Sequence, residues 1–387
     1  MSAAPTLALY VHWPFCVAKC PYCDFNSHVR DEVDLNKWRD ALLQDLDKEM
    51  ERSPAATIGS VFFGGGTPSL MPPALVAGVL EAVENVAGFA PDVEITLEAN
   101  PSSVEAGRFA ALAEAGINRV SLGIQALDDA ALRMLGRLHS AAEALAALDT
   151  AQRHFARVSF DLIYARPGQS EAQWRSELTR ALGFGTEHLS LYQLTIEPGT
   201  RFATDVRRGH LVPLDDDAAA DLFALTREVT AAAGLPAYEI SNHARPGCAS
   251  RHNLAYWRYQ DYAGIGPGAH GRRGGVATVR HRKPENYLAA VEREGHGISE
   301  ERALPAAEQA EEALLMGLRL AEGVDVAVMA ARFGLPAGSL IDARRLALYE
   351  SQGLIRSEGT RLTVSEAGMP LLDALLPELV AVESATA

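Results

Sequence analysis

From about residue 7 to about residue 240, short apolar or β-branched runs alternate with longer segments whose apolar positions recur at helical spacing. The pattern predicts strands at 7–12, 60–63, 93–97, 119–124, 158–163 and 188–194. Between and after them it predicts helices at 35–52, 73–86, 104–115, 130–154, 171–182 and 216–233. Asp34 and Ser170 stand where N-caps belong, and Gly116 and Gly234 where helices stop. Six strand–helix units in a row imply a parallel sheet, because every parallel connection needs a crossover element. The expected fold class is α/β, and six units fit a partial (β/α)6 barrel as well as an open doubly wound sheet. In such a fold the working residues sit at the C-terminal ends of the strands.

Unusual polar residues do gather at those ends. Tyr10 and His12 lead into Cys16 after the first strand, and Gly64-Gly65-Gly66-Thr67-Pro68 follows the second. Glu98 and Asn100 close the third, Gln125 the fourth, and Asp161 lies in the fifth. Tyr192, Gln193 and Thr195 close the sixth. Beyond residue 240 the pattern loses its helical period and becomes rich in Gly, His, Arg and aromatics. From about 305 it is helical again, then offers a small hairpin near 353–363. The expected division is a core at 1–240, a connecting segment at 241–304, and a small C-terminal α+β winged-helix-like domain at 305–387.

Charge and composition narrow the function. The 387 residues carry a formal net charge of −15, which disfavours nucleic acid as a partner. The last segment has 12 acidic and 6 basic residues, so packing or homodimer formation suits it better than DNA binding. No apolar run reaches membrane-span length, and no basic segment followed by an apolar stretch opens the chain. A cytoplasmic location is expected.

Three of the four cysteines fall within eight residues, as Cys16-x3-Cys20-x2-Cys23. Close thiolates in a reducing compartment are soft ligands for iron–sulfur clusters or zinc. A zinc site would need a fourth ligand, His28 or Cys248. The spacing, the nearby aromatics and the strand-end residues favour a 4Fe–4S cluster whose fourth iron has no protein ligand. This loop after a first strand resembles the radical S-adenosylmethionine (SAM) superfamily. Phe62-Phe63-Gly64-Gly65-Gly66-Thr67-Pro68, Leu122-Gly123-Ile124-Gln125 and Asp161-Leu162-Ile163-Tyr164 resemble one group within it. That group holds oxygen-independent coproporphyrinogen III dehydrogenase and the heme chaperones.

The resemblance implies that SAM binds the open iron, and that a reduced cluster can cleave it to a 5′-deoxyadenosyl radical. Gly65, Gly66 and Thr67 would then meet the methionyl amino group, and Glu98, Gln125 and Asp161 the ribose and amino-acid moiety. Arg137 would pair with the carboxylate, while Tyr10 and Tyr22 would pack near adenine and cluster. Phe25 stands where the dehydrogenases carry a fourth cysteine. Downstream, His252-Asn253-Leu254-Ala255-Tyr256-Trp257 matches an H-N-x-x-Y-W signature of the heme chaperones. By that resemblance His252 or Tyr256 would ligate heme iron, Trp257 would pack on the macrocycle, and acceptor proteins, membrane respiratory enzymes among them, would receive the heme. His12 and His270 are further histidines that the sequence does not rank. The alternative is the dehydrogenase itself, an oxidative decarboxylase of porphyrinogen propionates.

Overall fold

The computed structural model describes residues 6–30, 32–53, 57–336 and 338–380. All six expected strands form: β1 (Thr6–Trp13), β2 (Thr57–Gly65), β3 (Phe89–Ala99), β4 (Arg119–Gln125), β5 (Arg157–Tyr164) and β6 (His188–Gln193). They pair in chain order and in parallel, each joined to the next by helical crossovers. Leu7, Leu9 and Val11 of β1 are buried with Val61 and Phe63 of β2 on one face, and Ala8 and His12 are buried on the other, as expected of a strand covered on both faces.

Five further strands extend this sheet, all from the stretch expected to be a connecting segment. They are β7 (Asn242–Ala244), β8 (Tyr262–Ile265), β9 (His270–Arg273), β10 (Val276–Arg280) and β11 (Ile298–Ala303). The full order is β11-β10-β9-β8-β1-β2-β3-β4-β5-β6-β7. Here β8 runs parallel to β1, while β7 and β9 to β11 are antiparallel to their neighbours. β1 therefore pairs with β8 and not with β6, so the barrel stays open.

Charged residues hid these strands. Arg273 and Arg280 are buried against Glu49 and Asp45 of the helix Leu35–Arg52, and a periodicity reading scores such positions as solvated. Asp45 also accepts from Tyr287 Oη at 3.0 Å and from the Gly297 N–H at 3.1 Å. A network of buried, paired charges thus fixes β9 and β10 to the first helix.

Two helix expectations need correction. The segment 104–115 divides into Ser103–Ala106 and Phe109–Glu114. The segment 130–154 divides into Asp129–Met134 and Ala141–His154. The second break has a local cause: Gly136 adopts φ +68° and Ser140 starts the next helix with a capping box. A side chain at Gly136 would also collide with Pro21 of the cysteine loop. The break leaves Arg137 on a loop.

From Ala306 a second core forms around Leu314, Leu318, Tyr349, Leu362, Leu372 and Leu376. It contains three strands, β12 (Val324–Asp325), β13 (Ile355–Glu358) and β14 (Arg361–Val364), with the last two forming the expected hairpin. Arg258, at the end of the helix Arg251–Trp257, pairs with Glu322, and Arg227 of the helix Asp216–Ala232 pairs with Glu366, joining this core to the main one. No helix among the described residues is long and apolar enough to cross a membrane.

Candidate functional site

The cysteine loop leaves β1 through the two-residue strand Phe15–Cys16, which pairs with His28–Val29 and so pins both ends of the loop. A turn closes inside it, with the Cys23 N–H donating to the Cys20 carbonyl at 3.2 Å. Cys16, Cys20 and Cys23 are free, half-buried, and line one pocket at the C-terminal ends of β2 to β5. Tyr22, Gly65, Gly66, Thr67, Glu98, Gln125, Arg137 and Asp161 line the same pocket, so eight of the nine residues expected around SAM meet the cysteines there.

Each side chain has an identifiable hold. The Thr67 hydroxyl donates to Cys16 Sγ at 3.4 Å, and Arg137 Nη1 donates to Cys20 Sγ at 3.4 Å. Arg137 Nη2 also donates to the Gly123 carbonyl at 2.8 Å and to Asn100 Oδ1 at 2.5 Å. Its Nε is buried without a partner, a donor aimed at nothing in the protein. Gln125 holds φ +70°, unusual outside glycine, at the end of β4. Ser121 donates to Asp161 Oδ1 at 3.1 Å, and the Gly65 N–H donates to Glu98 Oε2 at 3.3 Å. Burial, reinforced by the Asp161 charge, pushes the Glu98 carboxyl up to about 8. Burial pushes Asp161 up to about 6, against hydrogen bonds from Ser190 and Ser121.

Gly65 and Gly66 are needed for close packing. A Cβ on Gly65, at φ +111°, would strike the His12 ring, and one on Gly66 would strike the Phe15 carbonyl. The Gly66 and Thr67 N–H groups are taken by the carbonyls of Trp13 and Phe15. Asn100 and Ser121 also line the pocket, and sequence reasoning assigned them no role there. Asn100 carried a signal, since it closes β3 two residues after Glu98.

Tyr10 is the exception. It lies in a neighbouring cleft, donates to or accepts from His12 Nδ1 at 3.1 Å, and stacks on Phe62. Tyr192, Gln193 and Thr195 line a separate cavity facing the C-terminal part. The zinc alternatives gain nothing from the geometry. Cys248 sits by Arg157 and Glu187, at the opposite ends of the strands. Among the described residues no three His, Cys, Asp or Glu side chains converge on a single ion. Three sulfurs around a four-iron cube stand farther apart than three around one metal.

The H-N-x-x-Y-W segment is the helix Arg251–Trp257, and it packs against the sheet toward the strand starts. His252 is only 2% exposed. Its Nδ1 meets Ser60 Oγ at 3.0 Å and its Nε2 meets Tyr256 Oη at 3.0 Å. Its N–H and the Ser250 hydroxyl both donate to Glu94. Both ring nitrogens are thus engaged, and the ring stacks on Phe62. Burial holds it neutral, with a pKa of about 3. In this arrangement His252 anchors the helix to β2 and β3. Tyr256 reaches the neighbouring cleft from the same helix, whereas Trp257, half-buried, does not line it.

Comparison with known proteins places the chain. The family model described as the radical SAM superfamily matches residues 10–180, and that of the HemN C-terminal domain matches 304–371. The chain is 37% identical to the heme chaperone HemW of Escherichia coli K12, over 97% of its own length and 98% of that protein's. This chain belongs to the HemW family of radical SAM proteins. It is also 31% identical to HemW of Bacillus subtilis, over 93% of this chain and 95% of the relative. With the mitochondrial radical S-adenosyl methionine domain-containing protein 1 of Bos taurus it shares 41% identity, over 96% of this chain and 87% of the relative. Among solved structures, coproporphyrinogen III oxidase (HemN) of Escherichia coli superposes with a TM-score of 0.82, covering 97% of this chain and 90% of that one at 21% identity, which is a likeness of fold.

Membership in the superfamily implies a 4Fe–4S cluster and SAM, and the residues present fit both. Three free thiols flank a pocket that holds an unpartnered guanidinium nitrogen for a carboxylate and two carboxyls for hydroxyl groups.

Proposed function

We propose that this HemW-family chain is a heme chaperone, which binds heme and passes it to acceptor proteins from a radical SAM scaffold. The observation that carries the reading is Phe25, where the dehydrogenases carry a cysteine. Its side chain is 60% exposed at the mouth of the cysteine pocket and also lines the adjoining cleft. A phenyl ring there can pack on a flat macrocycle but cannot act as a thiol. The near full-length identity with HemW proteins supports the same reading. It includes action in the cytoplasm, delivery to membrane respiratory enzymes, and association as a homodimer.

In this proposal Cys16, Cys20 and Cys23 hold the cluster, which when bound can supply one electron to the sulfonium of SAM. Arg137 Nε takes the methionyl carboxylate. Gly65, Gly66 and Thr67, whose N–H groups are already used, offer carbonyl oxygens that suit the ammonium. Glu98, Gln125 and Asp161 receive the ribose and amino-acid moiety, and Tyr22 packs beside the loop. Tyr10 borders the site from the adjoining cleft, which shares Gly65 and Glu98 with this pocket.

One anaerobic preparation tests the function in two arms. Reconstituted protein is expected to take up stoichiometric heme, and to yield no protoporphyrinogen from coproporphyrinogen III with reductant and SAM. Turnover to protoporphyrinogen would return the chain to the dehydrogenases.

The raised carboxyls give a second expectation. Hydroxyl donors and a sulfonium cation favour ionised Glu98 and Asp161, so SAM binding should release protons from groups that are partly protonated near neutrality. Affinity should therefore strengthen as pH rises from about 6 to about 8.5, by up to about tenfold per pH unit for each proton released, and then level off. Titration calorimetry in two buffers of different ionisation enthalpy measures the release directly, and Glu98→Gln should diminish it. An affinity flat across that range would remove both carboxyls from the SAM site.

A further inference from the structure

Cys20, Thr67, Asn100 and Arg137 line the SAM pocket and also line a second cleft, on the outer side of the cysteine loop. The rest of that outer cleft is mainly apolar. Val17 and Ala18 come from the loop, Leu70 follows β2, Val104 lies in the short helix after β3, and Leu138 follows the Gly136 break. Building on the cluster assigned to Cys16, Cys20 and Cys23, we propose that an acidic one-electron carrier protein docks on this outer cleft to reduce the cluster.

A cluster that supplies one electron must first receive one, and the chain shows no second redox centre to relay it. Its remaining thiol, Cys248, lies at the opposite ends of the strands. Among the described residues no group of His, Cys, Asp or Glu side chains offers another metal site. The electron therefore comes from a separate protein. The step is a single electron transfer: the carrier is oxidised, the cluster is reduced, and no bond forms or breaks. Such transfer needs close approach to the loop. The inner side of the loop faces the SAM pocket, and the Phe25 side opens on the adjoining cleft. The outer side, with Cys20 in the cleft wall, is an approach that leaves both clear.

The surface there has the character of a transient docking site. Leu138, Val104 and Val17 are 78%, 67% and 64% exposed, and they reach one cleft from three separate segments. Single exposed apolar side chains are ordinary, but a group of them around a cleft marks a contact surface. Its small extent suits an electron-transfer encounter, the class of interface that buries less than about 1,200 Å². Charge selects the partner. The chain as a whole carries −15, so an acidic protein is repelled from most of its surface. Lys19 stands exposed beside Cys20, and Arg108 reaches the cleft edge, donating to the Leu70 carbonyl at 3.4 Å. The carboxylates of the cleft are engaged: Glu105 is buried on Ser69 and the Asn100 N–H, and Glu143 closes the capping box of Ser140. A cationic rim around an apolar centre on an otherwise acidic protein steers an acidic carrier to this face.

The test is anaerobic stopped-flow reduction of the reconstituted full chain, read as bleaching of the cluster's visible absorption. Two reductants are compared: a fully reduced flavodoxin, as the acidic carrier, and dithionite, which needs no docking. Leu138→Asp and Val104→Asp each place a like charge on the contact surface, far from any cysteine in sequence. Each should slow reduction by flavodoxin about tenfold or more while leaving the dithionite rate and iron content at wild-type values. The flavodoxin rate should also fall as salt rises, and less steeply in Arg108→Gln. Unchanged flavodoxin rates in both aspartate variants would overturn the proposal, and so would equal slowing with both reductants, which means a disturbed cluster. A change in sedimentation with no change in flavodoxin rate would make this face a contact between copies of the chain. A wild-type protein reduced by dithionite but not by flavodoxin would overturn the docking proposal and leave the cluster standing. A wild-type protein that takes up no iron would remove the cluster assignment itself.

Discussion

Replacing Cys20 with alanine is expected to strip the protein of its iron–sulfur chromophore while leaving the fold standing. The loop supplies three thiols and no spare. Cys248 lies at the other end of the strands, beside Arg157 and Glu187, and cannot substitute. Losing one of three ligands leaves a cube held at two corners, and it also removes the acceptor of the Arg137 Nη1 hydrogen bond. Cys20 is half-buried in a surface loop and lies outside the hydrophobic clusters, so the polypeptide itself should lose no more than about 1 kcal/mol. Iron and sulfide content after anaerobic reconstitution, with far-ultraviolet circular dichroism, measures both halves of the expectation. Iron content equal to wild type would mean the cluster is held elsewhere. Cys248→Ala serves as the control and should keep its full iron content.

Arg280→Ala is expected to have the largest effect on stability. Its guanidinium is 0% exposed, donating from Nε to Asp45 Oδ2 at 2.9 Å and from Nη2 to Glu49 Oε2 at 2.8 Å. Truncation leaves two buried carboxylates facing a void, with Arg273 as the remaining counter-charge for Glu49. Breaking a buried pair from one side costs about 3–5 kcal/mol, because the remaining charge keeps its desolvation penalty. The loss should fall first on the junction of β8 to β11 with the helix Leu35–Arg52, which the network joins. Denaturant unfolding, with hydrogen exchange to locate the weakened region, reads this out. A loss below about 1 kcal/mol would show that the network is relaxed by water and contributes little. Replacing Asp45, Glu49, Arg273 and Arg280 together with apolar residues should cost less than Arg280→Ala alone, since no buried charge of the network would be left unpaired.

The six-strand core was legible because its signals are local. β1 to β6 are runs of apolar and β-branched residues, separated by helices that open on caps such as Asp34 and Ser170. Parallel crossovers then leave little freedom in strand order. The placement of Gly65, Thr67, Glu98, Gln125 and Asp161 in one pocket followed from the same rule, since the strand ends they occupy must converge. Arg137 was legible as a residue of this pocket, but the break that delivers it was not. Gly136 reads as a tolerable helix residue until Pro21, more than a hundred residues earlier, is seen against it.

The sequence by itself determined the cofactor loop, the parallel core and the C-terminal hairpin, since each is written in neighbouring residues: thiol spacing, hydrophobic period, turn chemistry. Only the tertiary structure decided what depends on distant partners. It made Arg273 and Arg280 interior residues through carboxylates some 230 positions away, turning an apparent connector into sheet. It put Tyr10 in a cleft adjoining the cysteine pocket, and it closed both nitrogens of His252 with Ser60 and Tyr256. A histidine's availability depends on what lies against its ring, and β2 reaches His252 from almost two hundred residues upstream.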